Sequence, residues 1–244
     1  MDVQLALGSD ILMVLDECTE YPATYERARE SMELTVRWAQ RAFSHYRGPR
    51  ADREEQQALF PIVQGGMHRD LRRGCAESLL ELNSYGYAIG GLSVGEPRPD
   101  SLAMVEETAP LLPSTKPRYV MGVGLPKELP EYVARGVDMM DCVLPSREAR
   151  TGRLYTSEGR LTIKHARYKD DPLPPDPACG CYTCRNFSRA FLRHMFFANE
   201  ATSYRLLTLH NLTYYLDLMT QARGAIASGR FCPFGYMGLL RHRD

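Results

Sequence analysis

The sequence predicts an α/β protein with parallel strands, and two observations support this class. Short apolar runs alternate with segments of helical periodicity through the first 140 residues, which is the pattern that βαβ units produce. Each apolar run also has a polar residue or a glycine at or near its carboxyl end. Because parallel α/β folds place their functional groups at the carboxyl ends of the strands, these terminal residues are the first candidates for a site.

Five strands and four helices are predicted in this region, in regular alternation. The strands are residues 11–16 (ILMVLD), 59–64 (LFPIVQ), 87–94 (YAIGGLSV), 118–123 (RYVMGV) and 139–144 (MMDCVL). The helices are residues 21–46, 68–82, 101–112 and 125–135. The residues predicted at the strand ends are Asp16, Gln64, Gly90, Gly91, Gly122 and Asp141.

The alternation stops after Asp141. Residues 153–164 predict a β-hairpin that turns at Glu158 and Gly159, and the prolines of residues 172–177 indicate a rigid loop. Two further helices are predicted at 184–199 and 211–227, with His210 opening the second. The sequence is therefore interpreted as two parts: residues 1–146 with the strands, and residues 147–244 with the hairpin, a cysteine cluster and a terminal helix.

Net charge separates the same two parts. The chain has 30 Lys and Arg and 30 Asp and Glu, but residues 1–146 carry a net −7 and residues 147–244 a net +7. Such a basic half indicates a polyanionic partner, with a solvated basic surface as the alternative. The ordinary hydrophobic content of 44% excludes a disordered chain. Because neither a membrane-spanning run nor a signal peptide is recognised, a cytoplasmic location without membrane attachment is expected.

Three of the seven cysteines lie within six residues, as Cys179, Cys181 and Cys184. This close spacing favours one metal ion over a disulfide in an intracellular chain. Zinc takes four tetrahedral ligands, usually thiolates with imidazole, and a fully protein-ligated zinc has a structural role. The spacing predicts such a zinc site, whose fourth ligand is sought among the neighbouring histidines His165, His194 and His210.

Motifs along nearly the whole chain, in the family order, resemble those of the bacterial-type tRNA-guanine transglycosylases, also called queuine tRNA-ribosyltransferases. They are GSDILMVLDECT (8–19), PIVQGG (61–66), AIGGLSVGE (88–96), YVMGVG (119–124), GVDMMDCVLPSREARTG (136–152), LTIKHARYKDD (161–171), the three spaced cysteines and LHNLTYYLDLM (209–219). The resemblance implies a (β/α)8 TIM barrel with a zinc-binding subdomain inserted near the C-terminus. It implies a pentosyltransferase that exchanges the wobble guanine of a tRNA anticodon for a 7-deazaguanine.

Roles for individual residues follow from this resemblance. Asp141 matches the nucleophile that forms a covalent aspartyl-ribose intermediate, as in retaining glycosidases. The resemblance assigns base binding to Asp16, Cys18, Gln64, Gly90, Gly91, Leu92, Val94 and Met121. It assigns anticodon-loop contacts to Arg147 and Arg150, the zinc site to Cys179, Cys181, Cys184 and His210, and homodimerisation to the zinc region. Arg153, Lys164 and Arg167 are additional candidates for phosphate contacts, with solvated surface charge as the alternative.

Cys18 and Val94 resemble the bacterial branch specifically. A residue larger than glycine at Val94 would crowd the cyclopentenediol of queuine, so 7-aminomethyl-7-deazaguanine is the expected incoming base.

The resemblance begins part-way through the family, since five strands are recognised where a closed barrel has eight. The family motif Ser-Asp-Ser-Gly-Gly-Phe-Gln, whose Asp is a general acid/base by resemblance, has no counterpart in this sequence. We therefore expect an incomplete barrel of about five C-terminal βα units from a truncated chain. Two alternatives stay open: a non-catalytic, zinc-containing tRNA-binding or dimerisation subunit of the same family, and an archaeosine-type transglycosylase. Cys18 and Val94 argue against the archaeosine type. The presence of both Asp16 and Asp141 argues against a non-catalytic subunit, which would need neither carboxylate.

Overall fold

Short parallel strands occur in the first 141 residues, as predicted. The computed structural model describes residues 1–47 and 57–232 of the chain. Its strands in the first part are β1 (Ile11–Met13), β2 (Ala58–Phe60), β3 (Ile62–Val63), β4 (Tyr87–Ile89), β5 (Arg118–Val120) and β6 (Met139–Met140). β1 pairs with β2, and β3, β4, β5 and β6 form a second sheet in that order; all these pairings are parallel. The predicted α/β class with parallel strands is confirmed.

Pro61 divides into two the strand that is predicted as one over residues 59–64. Proline has no N–H to donate to a ladder, and the chain changes partner at this residue, since β2 pairs with β1 whereas β3 pairs with β4. The Pro61 carbonyl still accepts a hydrogen bond from the Ala88 amide at 2.9 Å. Neighbouring strands therefore follow one another in chain order, without the reversal that marks a doubly wound sheet.

Helices connect these strands. They are α1 (Asp2–Leu7), α2 (Tyr25–Tyr46), α3 (Arg69–Leu80), α4 (Arg98–Thr108), a 3-10 turn (Ala109–Leu111) and α5 (Leu129–Ala134). α2 begins where predicted to within four residues, because the Thr24 hydroxyl accepts a hydrogen bond from the Arg27 amide and caps the helix. α1 was not predicted, since six residues are too few to show a helical period.

The core of this first part lies between the strands and the inner faces of α2 and α3. Its fully buried members include Leu12, Leu59, Val63, Leu79 and Ile89. Burial of each such side chain stabilises the fold by about 1.5–3 kcal/mol relative to exposure. The strands are buried on both faces, which explains why they read as continuous apolar runs rather than alternating patterns.

The second part of the chain contains an antiparallel hairpin among helices. Its elements are α6 (Leu144–Arg150), β7 (Arg153–Thr156), β8 (Gly159–Thr162), a 3-10 turn (Ala166–Tyr168), α7 (Tyr182–Asn186), α8 (Arg189–Phe197) and α9 (Ala201–Ala227). The predicted hairpin is confirmed, and it turns at Ser157 and Glu158, one residue earlier than predicted. A separate core joins the hairpin to α8 and α9, with Leu154, Ile163, Leu192 and Leu207 fully buried.

Three sequence predictions for this part were wrong. Residue 144 begins α6 instead of ending a strand, because Pro145 suits the first turn of a helix. The single helix predicted over 184–199 is two helices, and Ser188 caps the second through a hydrogen bond from the Phe191 amide. α9 begins at Ala201, so His210 lies inside this helix rather than at its start.

The chain divides into two units that are considered separately below. The strand unit consists of Met1–Val123 and Glu131–Asp141, and the hairpin unit of Gly124–Pro130 and Cys142–Asp244. Residues 48–56 and 233–244 belong to these ranges but lie outside the described residues. The functional division predicted at residue 146 stays a prediction. Within the described residues, no helix has both the length and the apolar character that crossing a bilayer requires.

Candidate functional site

Asp16 and Gln64 meet at the carboxyl ends of β1 and β3. Gln64 follows β3 directly, is buried, and donates from Nε2 to Oδ2 of Asp16 at 2.6 Å. The Gln64 amide N–H donates to Sγ of Cys75 on α3 at 3.3 Å. This contact fixes the backbone from which the Gln64 side chain extends. Two residues that are 48 positions apart in sequence thus form one polar pair, as their strand ends predicted.

Gly90 and Gly91 follow β4 and lie against the Gln64 side chain. A Cβ at Gly90 would stand 2.7 Å from Nε2 of Gln64, and one at Gly91 would stand 2.6 Å from its Oε1. Gly91 also has φ +66°, a conformation that residues with a side chain rarely adopt. Both close approach and backbone angle therefore require glycine here, because the buried Gln64 side chain occupies the space that a Cβ would need.

Cys18 belongs to the same cluster. Partial burial of its thiol and then the Asp16 carboxylate raise the pKa of Cys18, while hydrogen bonds from the Gly91 amide and the Gln64 side chain oppose the shift. The raised pKa keeps the thiol protonated at neutral pH. Its chemistry here is that of a small polar contact rather than of a nucleophile.

Leu92 and Val94 lie in the loop that follows the glycines, and Leu92 is buried. The carboxylate of Glu96 holds this loop by accepting hydrogen bonds from the Ser93 amide at 2.6 Å and the Val94 amide at 2.9 Å. Ser101 donates a third bond to the same carboxylate. Burial by itself would raise the pKa of Glu96, but these hydrogen bonds outweigh burial and lower the pKa below its ordinary value.

Asp141 follows β6 directly and is exposed. Its Oδ1 accepts two hydrogen bonds, from the Tyr119 hydroxyl at 2.7 Å and from the Gly122 amide at 2.9 Å. Burial of Tyr119 and its bond to Asp141 raise the pKa of the Tyr119 hydroxyl, which therefore remains a donor. Half-buried Met121 lies between these two donors in sequence, and its amide bonds to the Ile89 carbonyl at 3.5 Å. The carboxylate is thus oriented at one oxygen and accessible to solvent.

The three cysteines and His210 come together in the hairpin unit. One donor atom from each of Cys179, Cys181, Cys184 and His210 lies within 4.8 Å of all the others. Nδ1 of His210 lies 3.2 Å from Sγ of Cys184 and 3.6 Å from Sγ of Cys181. The group could hold a metal ion, and His210 rather than His165 or His194 is the nitrogen ligand candidate.

Backbone contacts orient His210 for this arrangement. Its side chain is fully buried, and Nε2 lies 2.7 Å from the Tyr155 carbonyl on β7. A carbonyl only accepts, so Nε2 carries the proton and Nδ1 presents its lone pair to the sulfurs, which is how metal-bound histidines are usually held.

Asn211 supports the same helix from the next position. Its Oδ1 accepts from the Tyr155 amide at 3.1 Å, and its Nδ2 donates to the carbonyls of Pro145 at 3.0 Å and Arg153 at 3.1 Å. The side chain is fully buried. α9 is thereby fastened to β7 and to α6 within the hairpin unit.

The basic residues from Arg147 to Arg167 are exposed, and they differ in whether the side chain contacts an acidic or aromatic residue of the unit. Arg153 and Arg160 approach the buried carboxylate of Glu148 at 3.3 Å and 3.7 Å. Lys164 lies over the ring of Phe196, and Arg167 over that of Tyr168. Arg147 and Arg150 are exposed in the last turn of α6.

Sequence reasoning missed three residues that shape these sites. Tyr119 lies inside a recognised motif. A tyrosine in a strand can be a hydrogen-bond donor to a functional residue or a packed core residue, and the sequence does not distinguish these two roles. Glu96 is the last residue of the motif AIGGLSVGE, but the sequence does not indicate that its carboxylate holds the loop. Arg72 is fully buried on α3 and bonds to the carbonyls of Gly66, Gly90 and Gly91. Its helical phase with Leu71, Cys75 and Leu79 could have indicated that this arginine faces the core.

Comparisons with known proteins identify relatives over nearly the whole chain. A family model described as queuine tRNA-ribosyltransferase matches residues 1–236. A protein named queuine tRNA-ribosyltransferase from Solibacter usitatus is 64% identical over 231 residues, which is 95% of this chain and 61% of the relative. Proteins with the same name from Syntrophobacter fumaroxidans and Acidithiobacillus ferrooxidans are 55% and 54% identical, each over about 95% of this chain and 60% of the relative. The chain therefore spans about 60% of the length of these relatives.

Proposed function

The chain belongs to the queuine tRNA-ribosyltransferase family, and from this we propose that it is a tRNA-guanine transglycosylase of queuosine biosynthesis. Its substrates are a tRNA anticodon loop with a wobble guanine and a free 7-deazaguanine base. The observation that carries this proposal is the Asp141 carboxylate at the end of β6, exposed and oriented through one oxygen by Tyr119 and Gly122. An oriented, accessible carboxylate is what nucleophilic catalysis at an anomeric carbon requires.

The proposed reaction has two displacements at C1′ of the nucleotide. In the first, an oxygen of Asp141 forms an ester bond to C1′, and the bond from C1′ to N9 of guanine breaks. Guanine leaves with the electron pair at N9 and receives a proton there. In the second, N9 of the incoming base loses its proton and attacks C1′, and the carboxylate of Asp141 is released. The RNA chain remains intact because neither step involves a phosphodiester.

Base recognition is proposed for the cluster around Asp16. The Asp16 carboxylate accepts from N1–H and the exocyclic amine of guanine, groups that require an acceptor. Gln64 and the amides of Gly91 and Leu92 donate to the base carbonyl, and Gly90 permits their close approach. Cys18, Val94 and Met121 complete the surface around the base. The Gln64–Asp16 hydrogen bond at 2.6 Å supports this assignment, because it joins the two recognition groups before a base is bound.

A structural zinc ion is proposed for Cys179, Cys181, Cys184 and His210. The donor set fits, since three thiols and one imidazole nitrogen converge and the histidine tautomer leaves Nδ1 available. When bound, the ion would supply a cross-link between helix α9 and the segment formed by α7 and the loop before it. Exposed Phe191 and Arg185 and half-buried Phe187 line a cavity of about 650 Å³ beside Cys184, and the proposed homodimer would use this region.

RNA contacts are proposed for Arg147 and Arg150, whose exposed side chains have no ion pair or ring contact among the described residues, whereas Arg153 and Arg160 pair with Glu148. Single-stranded anticodon loops are read base by base, and cations on phosphate supply affinity. We further propose that the strand unit supplies about five βα units of a (β/α)8 barrel. The strand order without reversal supports this proposal. A tRNA substrate also places the activity in the cytoplasm.

Trapping of the covalent intermediate tests the proposal. The chain would be mixed with an anticodon stem-loop RNA that carries a wobble guanine, and the products separated on a denaturing gel. We expect a protein–RNA adduct with the wild type and with the control Asp170→Asn, and none with Asp141→Asn. An adduct that persists in Asp141→Asn would overturn the nucleophile assignment. RNA binding without any adduct in the wild type would instead favour the non-catalytic subunit.

Competition between two incoming bases tests the proposed substrate. We expect 7-aminomethyl-7-deazaguanine to be incorporated at least tenfold more efficiently than queuine, because Val94 limits the space beside the base. Val94→Gly should reduce this preference. Equal use of both bases by the wild type would contradict the assignment.

A further inference from the structure

Arg72 is a fully buried arginine of the strand unit whose contacts are all to backbone carbonyls. Its Nε donates to the Gly66 carbonyl at 2.7 Å, and its Nη2 donates to the carbonyls of Gly90 at 3.0 Å and Gly91 at 3.3 Å. Its Nη1 has no hydrogen-bond partner among the residues that the structure describes. Burial lowers the pKa of the guanidinium to about 10, so the group is still charged at neutral pH.

Among the described residues no carboxylate forms a salt bridge with Arg72, although the charge of Glu96 acts on its guanidinium, and a buried cation of this kind is a costly way to fill a core. Apolar residues of similar volume are often neutral or stabilising at such positions. Stability of the helix alone therefore gives little reason for an arginine at this place on α3. Its three carbonyl contacts, on the loops after β3 and β4, indicate a role in the geometry of those loops.

The direction of the two glycine carbonyls determines where the next amides point. In a trans peptide the C=O and the following N–H point in opposite directions, and the peptide bonds here are trans. Because the Gly90 and Gly91 carbonyls point toward Arg72, the amides of Gly91 and Leu92 point away from it. The hydrogen bond from the Gly91 amide toward the Cys18 thiol agrees with this direction. Both amides therefore face the side on which Cys18 lies.

We propose that Arg72 is a positioning residue for recognition of the base carbonyl, an inference that rests on the proposed function. It holds two peptide planes so that the Gly91 and Leu92 amides form a preorganised donor pair for the C6 oxygen of guanine or of the 7-deazaguanine. Such donor pairs act without reorganisation when the ligand arrives. Arg72 itself touches no ligand.

Helix α3 supports both halves of this recognition. Cys75, one turn from Arg72, accepts the hydrogen bond from the Gln64 amide at 3.3 Å. A Cβ at Gly91 would stand 3.3 Å from Nη2 of Arg72 and 2.6 Å from Oε1 of Gln64. The glycine loop is thus confined between the arginine below it and the glutamine beside it, and rotation of either peptide plane would break the contacts to Arg72.

The experiment compares two ligands that differ at a single atom. Guanine has an oxygen at C6, and 6-thioguanine has a sulfur, a weaker acceptor, while N1–H and the amine are retained. The Kd of each base would be measured by ligand-observed NMR with the wild type, Arg72→Met and the control Arg73→Met, which removes an exposed cation from the same helix. We expect Arg72→Met to lose about tenfold in guanine affinity and less than twofold in 6-thioguanine affinity.

Each other outcome has a defined meaning. Equal losses for both ligands would show that Arg72 only maintains the fold of the pocket, and no loss for either would show that the amides need no support; both results overturn the inference. If the wild type binds neither base, the proposed function fails as well. If Arg72→Met does not fold, Arg72→Lys retains a cation that can reach fewer carbonyls. That variant should lose about threefold in guanine affinity, with less loss in 6-thioguanine affinity. A ratio of the two affinities equal to that of the wild type would overturn the inference.

Discussion

The Asp141 and Asp16 clusters of the strand unit and the cysteine–histidine cluster of the hairpin unit are built in opposite ways. The first two collect residues from the ends of five strands and leave Asp141 exposed and Asp16 half-buried. The cysteine–histidine cluster takes Cys179 and Cys181 from the loop before α7, Cys184 from α7 and His210 from α9, and buries the last three. Under the proposed function, the difference separates two requirements: access for a large substrate at the strand ends, and exclusion of water around a structural ion.

This comparison leads to an expectation about mutations. Changes that affect the exposed strand end at Asp141 should alter the proposed activity with little effect on stability, since this side chain contributes few buried contacts. Changes in the cysteine–histidine cluster should alter stability first, since its ligands join α9 to the rest of their unit. The predictions below test this separation in order of decreasing effect.

The largest effect is expected from Cys181→Ser. Structural zinc contributes about 10–16 kcal/mol in small zinc-binding peptides, and loss of one buried ligand should lower the stability of the hairpin unit by about 5 kcal/mol or more. At about 2–4 °C per kcal/mol for a chain of this size, calorimetry should show a transition that melts roughly 10–20 °C earlier. Mass spectrometry should show less than one zinc per chain. Cys232→Ser, at an exposed cysteine outside the cluster, serves as the control, and a Cys181→Ser variant with unchanged melting and zinc content would break the comparison.

An intermediate effect is expected from Tyr119→Phe. Loss of the 2.7 Å hydrogen bond to Asp141 removes one of the two donors that orient the carboxylate. A hydrogen bond to a charged group is worth about 1.5–3 kcal/mol, so single-turnover adduct formation should slow roughly 10–100-fold. The midpoint of urea unfolding should change little. Tyr85→Phe, which alters an exposed tyrosine of the same unit, should leave the rate unchanged; a Tyr119→Phe variant as fast as the wild type would show that Gly122 alone orients Asp141.

The smallest effect is expected from Glu96→Gln, as a change in pH dependence. The pKa of Glu96 is lowered in the folded state by its three hydrogen bonds, against the effect of burial. Its contribution to stability is therefore present above the unfolded pKa and is lost as the pH falls through the folded pKa. Urea unfolding at pH 7 and at pH 3 should show a smaller acid-dependent decrease in the variant, by less than about 1 kcal/mol after solvent screening. A decrease equal to that of the wild type would contradict a role for this carboxylate in holding the loop.

The two regions also differ in how much of them the sequence predicted. The four candidate metal ligands could be predicted because three of them are close in sequence and a motif marks the fourth, and the structure brings these four residues together. The strand ends were identified because apolar runs buried on both faces are easy to recognise. Tyr119 and Arg72 were missed because their roles arise from neighbours that are distant in sequence: Asp141 for the first, and the Gly66 and Gly90 loops for the second.

Boundaries were less predictable than elements, for local reasons. Pro61 looks like one residue of an apolar run, yet its missing N–H divides the strand. The start of α9 was placed ten residues late, because Thr202, Ser203 and Thr208 lower the apparent helical propensity. Burial of Ser203, Leu206, Leu207 and His210 on one face outweighs that propensity, and such burial is a property of the folded chain.

The three contacts of Asn211 restrict which amino acid can occupy its position. The site needs one acceptor and two donors at the end of a short side chain, and asparagine alone meets this requirement. Aspartate has no N–H, glutamine is one methylene too long, and serine has a single donor. In another sequence with three similarly spaced cysteines and a distant histidine, the residue that follows the histidine can therefore be examined. An asparagine there would indicate that α9, β7 and α6 are fastened in the same way.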